Sequence, residues 1–301
     1  MRLPPSLLPE LPALLVVAEE CHFGRAAERL NVTQSRVSQV VRRMEDLLGY
    51  RLFIRRPHVR LTRAGELLAK AARLALSELD VAVARAGDAA AGGGGTVRFA
   101  YVPVAMLTGL PRLLKRFREE NPRIELALHS AYSASLWEGL EANQFDVIVS
   151  WETRVSSGIQ SYRFAPDSLI AVLPEGDPAA CKAELSIDFF RNRDFVALDE
   201  AIAPQLHQTV GSICRSAGFE PRVVQRANDW ASMLALVASG LGASIVSSTI
   251  GELCFPGVSF VPLVEGLGAG SFWIAYRETS ADPAVNLLIA GLIAGATTDG
   301  S

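Results

Sequence analysis

The chain has little of what most enzymes and secreted proteins rely on. Its 301 residues include only four cysteines and four histidines. Cys21, Cys181, Cys214 and Cys254 form no C-x-x-C pair, and His22, His58, His129 and His207 lie far apart in sequence. That spacing offers neither a disulfide framework nor a zinc ligand set. Cys181 and Cys214 also lack the cluster of basic neighbours that would turn a thiol into a reactive thiolate. Reduced, inert thiols in a cytoplasmic protein are the expectation, with redox control through a cysteine as an alternative. No apolar run approaches the ~18 residues that cross a bilayer, so no membrane contact is expected. The leucine-rich start resembles a signal peptide only superficially, because Pro4, Pro5, Pro9, Glu10 and Pro12 interrupt it. Leu11–Glu20 reads instead as a first helix. G-x-S-x-G, H-E-x-x-H and G-x-x-x-x-G-K-[ST] are all missing, and Gly240-Leu241-Gly242 is better read as turn chemistry than as a phosphate cradle. Neither catalysis nor a cofactor is expected.

What the chain does have is unevenly distributed charge. Residues 24–63 hold ten arginines against Glu28, Glu45 and Asp46, a net of +7, whereas the whole chain is −3. The remaining residues therefore carry −10 between them. A local basic island in an acidic protein is the electrostatic footprint of a nucleic-acid module. The local pattern agrees. Ala26, Ala27 and Leu30 share one helical face, Asn31-Val32 makes a turn, and Thr33 stands where an N-cap belongs. The next helix carries Val37, Val40, Val41, Met44, Leu47 and Leu48 at the spacing of a buried stripe, and Gly49 ends it. Its other face presents Gln34, Ser35, Arg36, Ser38, Gln39, Arg42 and Arg43, donors long enough to reach base edges and phosphates from the major groove. Tyr50–Arg55 and Val59–Thr62 read as two strands around Arg56-Pro57-His58, a wing. A merely solvated polar face would not be so one-signed, nor continue into the strand pair. The partner is double-stranded DNA.

This block resembles the LysR-type transcriptional regulators. The resemblance rests on Ala26-Ala27-Glu28-Arg29-Leu30, Thr33-Gln34-Ser35, Val37-Ser38, Arg43-Met44-Glu45, Leu48-Gly49, Arg51-Leu52-Phe53 and Leu61-Thr62-Arg63-Ala64-Gly65. His22 departs from it, standing where the family often has a capping serine, which puts only local stability in question. The resemblance implies a DNA-binding regulator of α/β class. It would have a winged helix–turn–helix at 1–63, a long linker helix at 64–91 that pairs two subunits, and an effector domain at 92–301. That domain would be two-lobed and periplasmic-binding-protein-like, with lobe one at 96–165 and 266–301 and lobe two at 166–265. Candidate base readers are Gln34, Ser35, Ser38 and Gln39. Candidates for phosphate or minor-groove contact are Thr33, Arg36, Arg42, Arg43, Arg55, Arg56, His58 and Arg60. Implied partners are a promoter dyad site, a small-molecule effector, further copies of the chain in a dimer or tetramer, and RNA polymerase. Control by a protein partner in place of a small molecule is the alternative.

The sequence after residue 63 fits that outline. Residues 64–90 are rich in Ala and Leu, with Leu67, Leu68, Ala71, Leu74, Ala75, Leu79, Ala82 and Val83 forming a wide apolar stripe that suits a dimer seam. Gly92–Gly95 reads as a break between domains. Beyond it, short β-type runs alternate with helical stretches, which predicts mainly parallel sheets. In such sheets ligands sit past the carboxyl ends of strands, near helix N-termini. That rule selects Val104, Ala105, Ser130, Tyr132, Ser133 and Trp151 in lobe one, and Leu198, Asp199, Pro204, Gln205, Leu206, Asp229 and Trp230 in lobe two. Asp229 reads equally as a helix cap, Ser133 likewise, and Trp151 and Trp230 as lobe packing. Val104 stands where related regulators of aromatic breakdown often have a small hydroxyl residue. Gln205 and Leu206 replace a Ser and a Phe of those relatives. The resemblance therefore implies a less carboxylate-centred pocket.

Overall fold

The computed structural model describes residues 4–90, 94–268, 270–278 and 282–298. The chain divides into two compact units, Met1–Ala84 and Arg85–Ser301. The domain break expected at 91/92, with Gly92 and Gly93, lies outside the described residues.

In the first unit a 3-10 turn, Pro5–Glu10, leads into α1 (Leu11–Glu20), followed by α2 (Phe23–Arg29) and α3 (Gln34–Leu48). Each start has a chemical cause. His22 does cap α2: its Nδ1 accepts the N–H of Gly24 at 3.1 Å and of Arg25 at 3.2 Å. Thr33 caps α3 by accepting Arg36 N–H at 3.3 Å. The end of α3 needs a residue in the left-handed region, and Gly49 supplies it at φ +78°. Val37, Val41, Met44 and Leu48 of α3 are buried against Leu11, Leu14, Val17, Phe23 and Ala26. Leu47, expected in that stripe, is instead 43% exposed, because it sits one position off the 37–41–44–48 row. The wing strands are shorter than expected: β1 (Phe53–Ile54) pairs antiparallel with β2 (Arg60–Leu61). The long α4 (Arg63–Ala90) follows. Its first half packs on the unit's core through Leu68, Ala72 and Leu76, while Leu67, and Leu79 and Val83 further along the Leu68–Leu76 face, stay exposed.

The second unit contains two sheets. One has the order β4 (Glu125–Ser130), β3 (Thr96–Tyr101), β5 (Val147–Ser150), β12 (Gly270–Arg277), β6 (Ile159–Asp167). The other is β10 (Ser244–Ser247), β7 (Leu169–Pro174), β11 (Val258–Pro262). β8 (Asp194–Leu198) and β9 (Arg222–Ala227) pair with each other, and a parallel bridge from Phe195 to Ala243 ties them to the start of β10. The helices are α5 (Leu110–Glu120), α6 (Ser133–Glu141), α7 (Pro204–Ser216), α8 (Trp230–Ala238) and α9 (Pro283–Thr298), with a 3-10 turn at Ile187–Phe190.

The expectation of mainly parallel sheets needs correction. β3 pairs parallel with β4 and β5, but β12 runs antiparallel to both β5 and β6, and β7 antiparallel to both its neighbours. The cause is the path of the chain. It leaves the first lobe along β6, turns at Ser168 into β7, and comes back along β12, so the returning strand opposes those already laid down. The pairing of β6 with β12 extends to Asp167 opposite Gly270. There the two crossings touch: Ser168 Oγ accepts Gly268 N–H at 3.2 Å. A single buried apolar cluster runs through both lobes.

Candidate nucleic-acid interface and ligand cleft

The α3 cap leaves the start of that helix clear of the protein. Gln34, Ser35, Arg36, Gln39, Arg42 and Arg43 are exposed and Ser38 is half-buried, while the opposite face is buried. Thr33 is exposed too, its hydroxyl 3.0 Å from Ser35 Oγ. Ion pairing then sorts the ten arginines of residues 24–63. Arg25 and Arg29 are held by Glu19 and Glu20, tying α2 to α1. Arg43 meets Glu10 at 3.2 Å, and Arg63 meets Glu66. Arg51 and Arg55 both reach Glu45, at 2.8 and 3.2 Å.

Glu45 is the organising residue of this unit. It is only 3% exposed, and its Oε1 accepts the N–H groups of Leu52 at 2.9 Å and Phe53 at 3.2 Å. Burial pushes its pKa up, but the Arg51 hydrogen bond, those two N–H groups and the charge of Arg55 outweigh burial and hold the carboxyl below its ordinary value. The carboxylate thus fastens the C-terminal end of α3 to the entry of the wing. Arg55 is half-buried there and also lies over the Phe23 ring, 5.4 Å from its centre. Among the described residues Arg36 and Arg42 of α3, and Arg56 and Arg60 of the wing, are exposed and have no carboxylate partner; His58 at the wing tip is exposed as well. Of the phosphate candidates, then, Arg43 and Arg55 are engaged within the protein and these four arginines are not. Nothing in the residue pattern set Glu45 apart from the other acids of the region.

In the second unit a narrow cleft with about 40 Å³ of free space opens between the lobes. Val104, Tyr132, Ser133, Trp151, Gln205, Leu206 and Trp230 line it, as the strand-end rule expects. Ala105, Ser130, Leu198, Asp199, Pro204 and Asp229 do not. Ala105 is fully buried, and Ser130 is exposed at the end of β4. Leu198 faces a separate cavity under α7. Asp199 accepts Ala201 N–H at 2.9 Å. Asp229 caps α8, accepting Ser232 N–H at 2.8 Å and Ser232 Oγ–H at 2.6 Å, and the Ser232 contacts hold its pKa down. Val102, Pro103, Ile202, Ala203 and Ser247 complete the wall. Ser247 closes β10, so the strand-end rule applied to that strand would have found it.

Beneath the cleft lies Asp167, 3% exposed, at the crossing between lobes. It accepts Trp151 Nε1–H at 2.5 Å, Ser247 Oγ–H at 2.6 Å, Ser248 Oγ–H at 2.7 Å and Ser168 N–H at 2.9 Å. Gly270, on the returning strand, packs so closely on the Trp151 indole that a Cβ there would fall 2.1 Å from the ring. The tryptophan on the cleft wall is thereby seated on both crossing strands. A carboxylate between Pro166 and Ser168 carries no sequence signal of this role. The cysteines are free, and burial pushes the Cys214 thiol up to about 11, against a small opposing effect of Arg215, which leaves it protonated and unreactive at neutral pH. Among the described residues no cluster of His, Cys, Asp or Glu is arranged to hold a metal ion.

Two family models match this chain: a bacterial regulatory helix-turn-helix protein, lysR family, over residues 8–66, and a LysR substrate binding domain over residues 90–296. The chain is 32% identical to the HTH-type transcriptional regulator IlvR of Caulobacter vibrioides, covering 95% of each. It is 29% identical to XapR of Escherichia coli, covering 92% of this chain and 94% of that regulator. The crystal structure of CbnR, a LysR family transcriptional regulator, superposes with a TM-score of 0.70 at 23% identity over 96% of this chain and 99% of CbnR. CbnR in complex with its target DNA gives 0.69 at 24% identity over 95% and 98%. At these identities the structures speak to the fold, which is the winged helix–turn–helix with a two-lobed, periplasmic-binding-like domain. The matched models together span nearly the whole sequence, and this chain belongs to the LysR family of bacterial transcriptional regulators.

Proposed function

We propose that the chain reads a dyad-symmetric promoter site as a homo-oligomer and answers a small molecule held between the lobes of its second unit. The observation that carries the DNA half is the sorted set of arginines: among the described residues six of the ten are ion-paired within the unit, and Arg36 and Arg42 of α3 and Arg56 and Arg60 of the wing are not. On this reading Gln34, Ser35, Ser38 and Gln39 meet base edges. Arg36, Arg42, Arg56 and Arg60 hold phosphates or enter the minor groove beside His58 and Thr33. Arg43 and Arg55 act mainly by fixing the module. The exposed row on α4 supports pairing of two subunits, which would present two copies of α3 to one dyad. The boundaries at 63/64 and 91/92 belong to the same reading.

Effector binding would shift the balance between lobe arrangements, which requires a ligand with different affinity for each. Trp151, seated on both crossing strands, supports that coupling. RNA polymerase as a further partner, action in the cytoplasm, and the absence of catalysis complete the proposal. The test is selection of duplexes from a random pool by the full chain, followed by Gln39→Ala. We expect one enriched half-site, and for the variant a loss of about 1–3 kcal/mol confined to one or two positions of it. Equal binding to every sequence would overturn the reading.

A further inference from the structure

A second void lies within lobe two, between α7 and the β8–β9 pair. It is roomier than the cleft, with about 250 Å³ of free space against about 40 Å³. Protein interiors are close-packed, so a gap of this size forfeits contacts unless something fills it. Small residues in the wall, Gly211 of α7 and Ala197 of β8, leave the room, while Leu206, Val210 and Cys214 carry the packing of the helix. We propose that this cavity is a second ligand site, which takes a carboxylate whose apolar body is about the size of one ring. A dry cavity of about 150 Å³ already admits benzene.

The backbone of β9 is shaped to serve the cavity. Phe195 of β8 lies opposite Val223, but Val196 lies opposite Gln225, which leaves Val224 as an extra residue. Val223 and Arg226 are three apart and would face opposite sides of a regular strand. The extra residue brings both to the face of their register partners Phe195 and Ala197, and all four line the cavity. Arg215 approaches from the helix. Its guanidinium lies back along α7 over Gly211, where a Cβ would fall 3.1 Å from Nη1.

The charges of the wall select the ligand. Arg215 and Arg226 are exposed, which puts them at the mouth, and neither has a carboxylate partner among the described residues. Glu220 is the one carboxylate in the wall, and His207 Nε2 stands 3.9 Å from Glu200. Two free guanidinium groups against one carboxylate favour an anion, and the planar fork of an arginine matches a carboxylate with two parallel hydrogen bonds. At the mouth the ligand's charge keeps part of its hydration, so the cost of burying it is reduced. Its body rests on Phe195, Leu198 and Ile245. A cation would be repelled by the guanidinium groups, and a neutral analogue would forgo the fork. Ala203 and Leu206 stand in the walls of both cavities, so the first turn of α7 separates this site from the cleft. The proposal does not depend on what the cleft binds.

The experiment is calorimetric titration of the full chain with benzoate, benzamide and benzylammonium. We expect benzoate to bind saturably, tighter than benzamide by about tenfold, and benzylammonium not to bind. Arg215→Gln with Arg226→Gln, both at exposed positions, should bring benzoate down to the level of benzamide. Val223→Trp should fill the cavity and abolish binding in a variant with wild-type circular dichroism. Gln205→Trp, which obstructs the cleft alone, should leave the benzoate affinity within twofold. If benzoate does not saturate, or binds no tighter than benzamide, the inference fails. If Gln205→Trp abolishes benzoate binding while the double arginine variant retains it, the anion sits in the cleft. The inference then fails and the cleft reading stands.

Discussion

At the scale of single residues, Glu45 shows how one buried carboxylate can hold a DNA-binding module in shape. Its oxygens take two backbone N–H groups and two guanidinium groups from the wing entry. Removing the charge would leave Leu52 and Phe53 N–H with a poorer acceptor and free Arg55 from its half-buried seat. Glu45→Gln is expected to cost about 1–3 kcal/mol of stability at neutral pH. The pH dependence has a definite sign. A carboxyl whose folded pKa is depressed contributes stability above its unfolded value, near 4.5, and loses that contribution as pH falls through the folded value. Denaturant midpoints of wild type and Glu45→Gln should therefore differ most above pH 5 and converge in acid. A gap that stays constant down to acid pH would mean that the ionic part of the contact contributes nothing.

At the scale of elements, α4 has more apolar surface than its own unit covers. Leu79 and Val83, 58% and 73% exposed, continue the Leu68–Ala72–Leu76 row beyond the part of the helix that packs on the core, and Leu67 is 56% exposed as well. A row of this kind on a long helix suits a second copy of the same helix. Replacing Leu79 and Val83 together by Glu should lower the molecular mass seen by sedimentation equilibrium to that of a single chain, with helix content unchanged. An oligomer that persists would place its contact elsewhere. Elements also show what the sequence makes legible. α3 is marked by its Thr33 cap and by an apolar row long enough to repeat, α4 by such a row, and the central strands by dense β-branched runs. β6, with IQSYRFAPD, mixes polar and apolar residues and holds a proline, so only its long-range pairing with β12 makes it a strand. β11 owes its place likewise to β7. The strand-end rule located most of the cleft wall because it depends on topology alone. It overreached at Ala105 and Asp199, where the side chain turns back into its own loop or core. The Asp167 network stayed hidden because three separate segments assemble it.

At the scale of the whole molecule, charge decides which part meets DNA and how steeply salt acts. A chain of net charge −3 is repelled by a polyanion on average; residues 24–63, at +7, reverse that locally. Only cations that neutralise phosphates release counterions, and each contributes about 0.9 to the slope of log affinity against log salt. If the unpaired Arg36, Arg42, Arg56 and Arg60 of both subunits in a dimer each meet one phosphate, the slope should be about −7. Arg42→Ala, acting in both subunits, should reduce its magnitude by about 2 and weaken binding to all sequences alike. Arg55→Ala makes the contrast. Its guanidinium belongs to Glu45, so the variant should lose stability while its slope stays near that of the wild type. Filter-binding titrations across a tenfold range of salt would measure all three slopes. Equal slope losses for Arg42→Ala and Arg55→Ala would show that the Glu45 pair opens on DNA. The wing arginines would then exchange partners on binding, and the paired set could no longer be counted out of the interface.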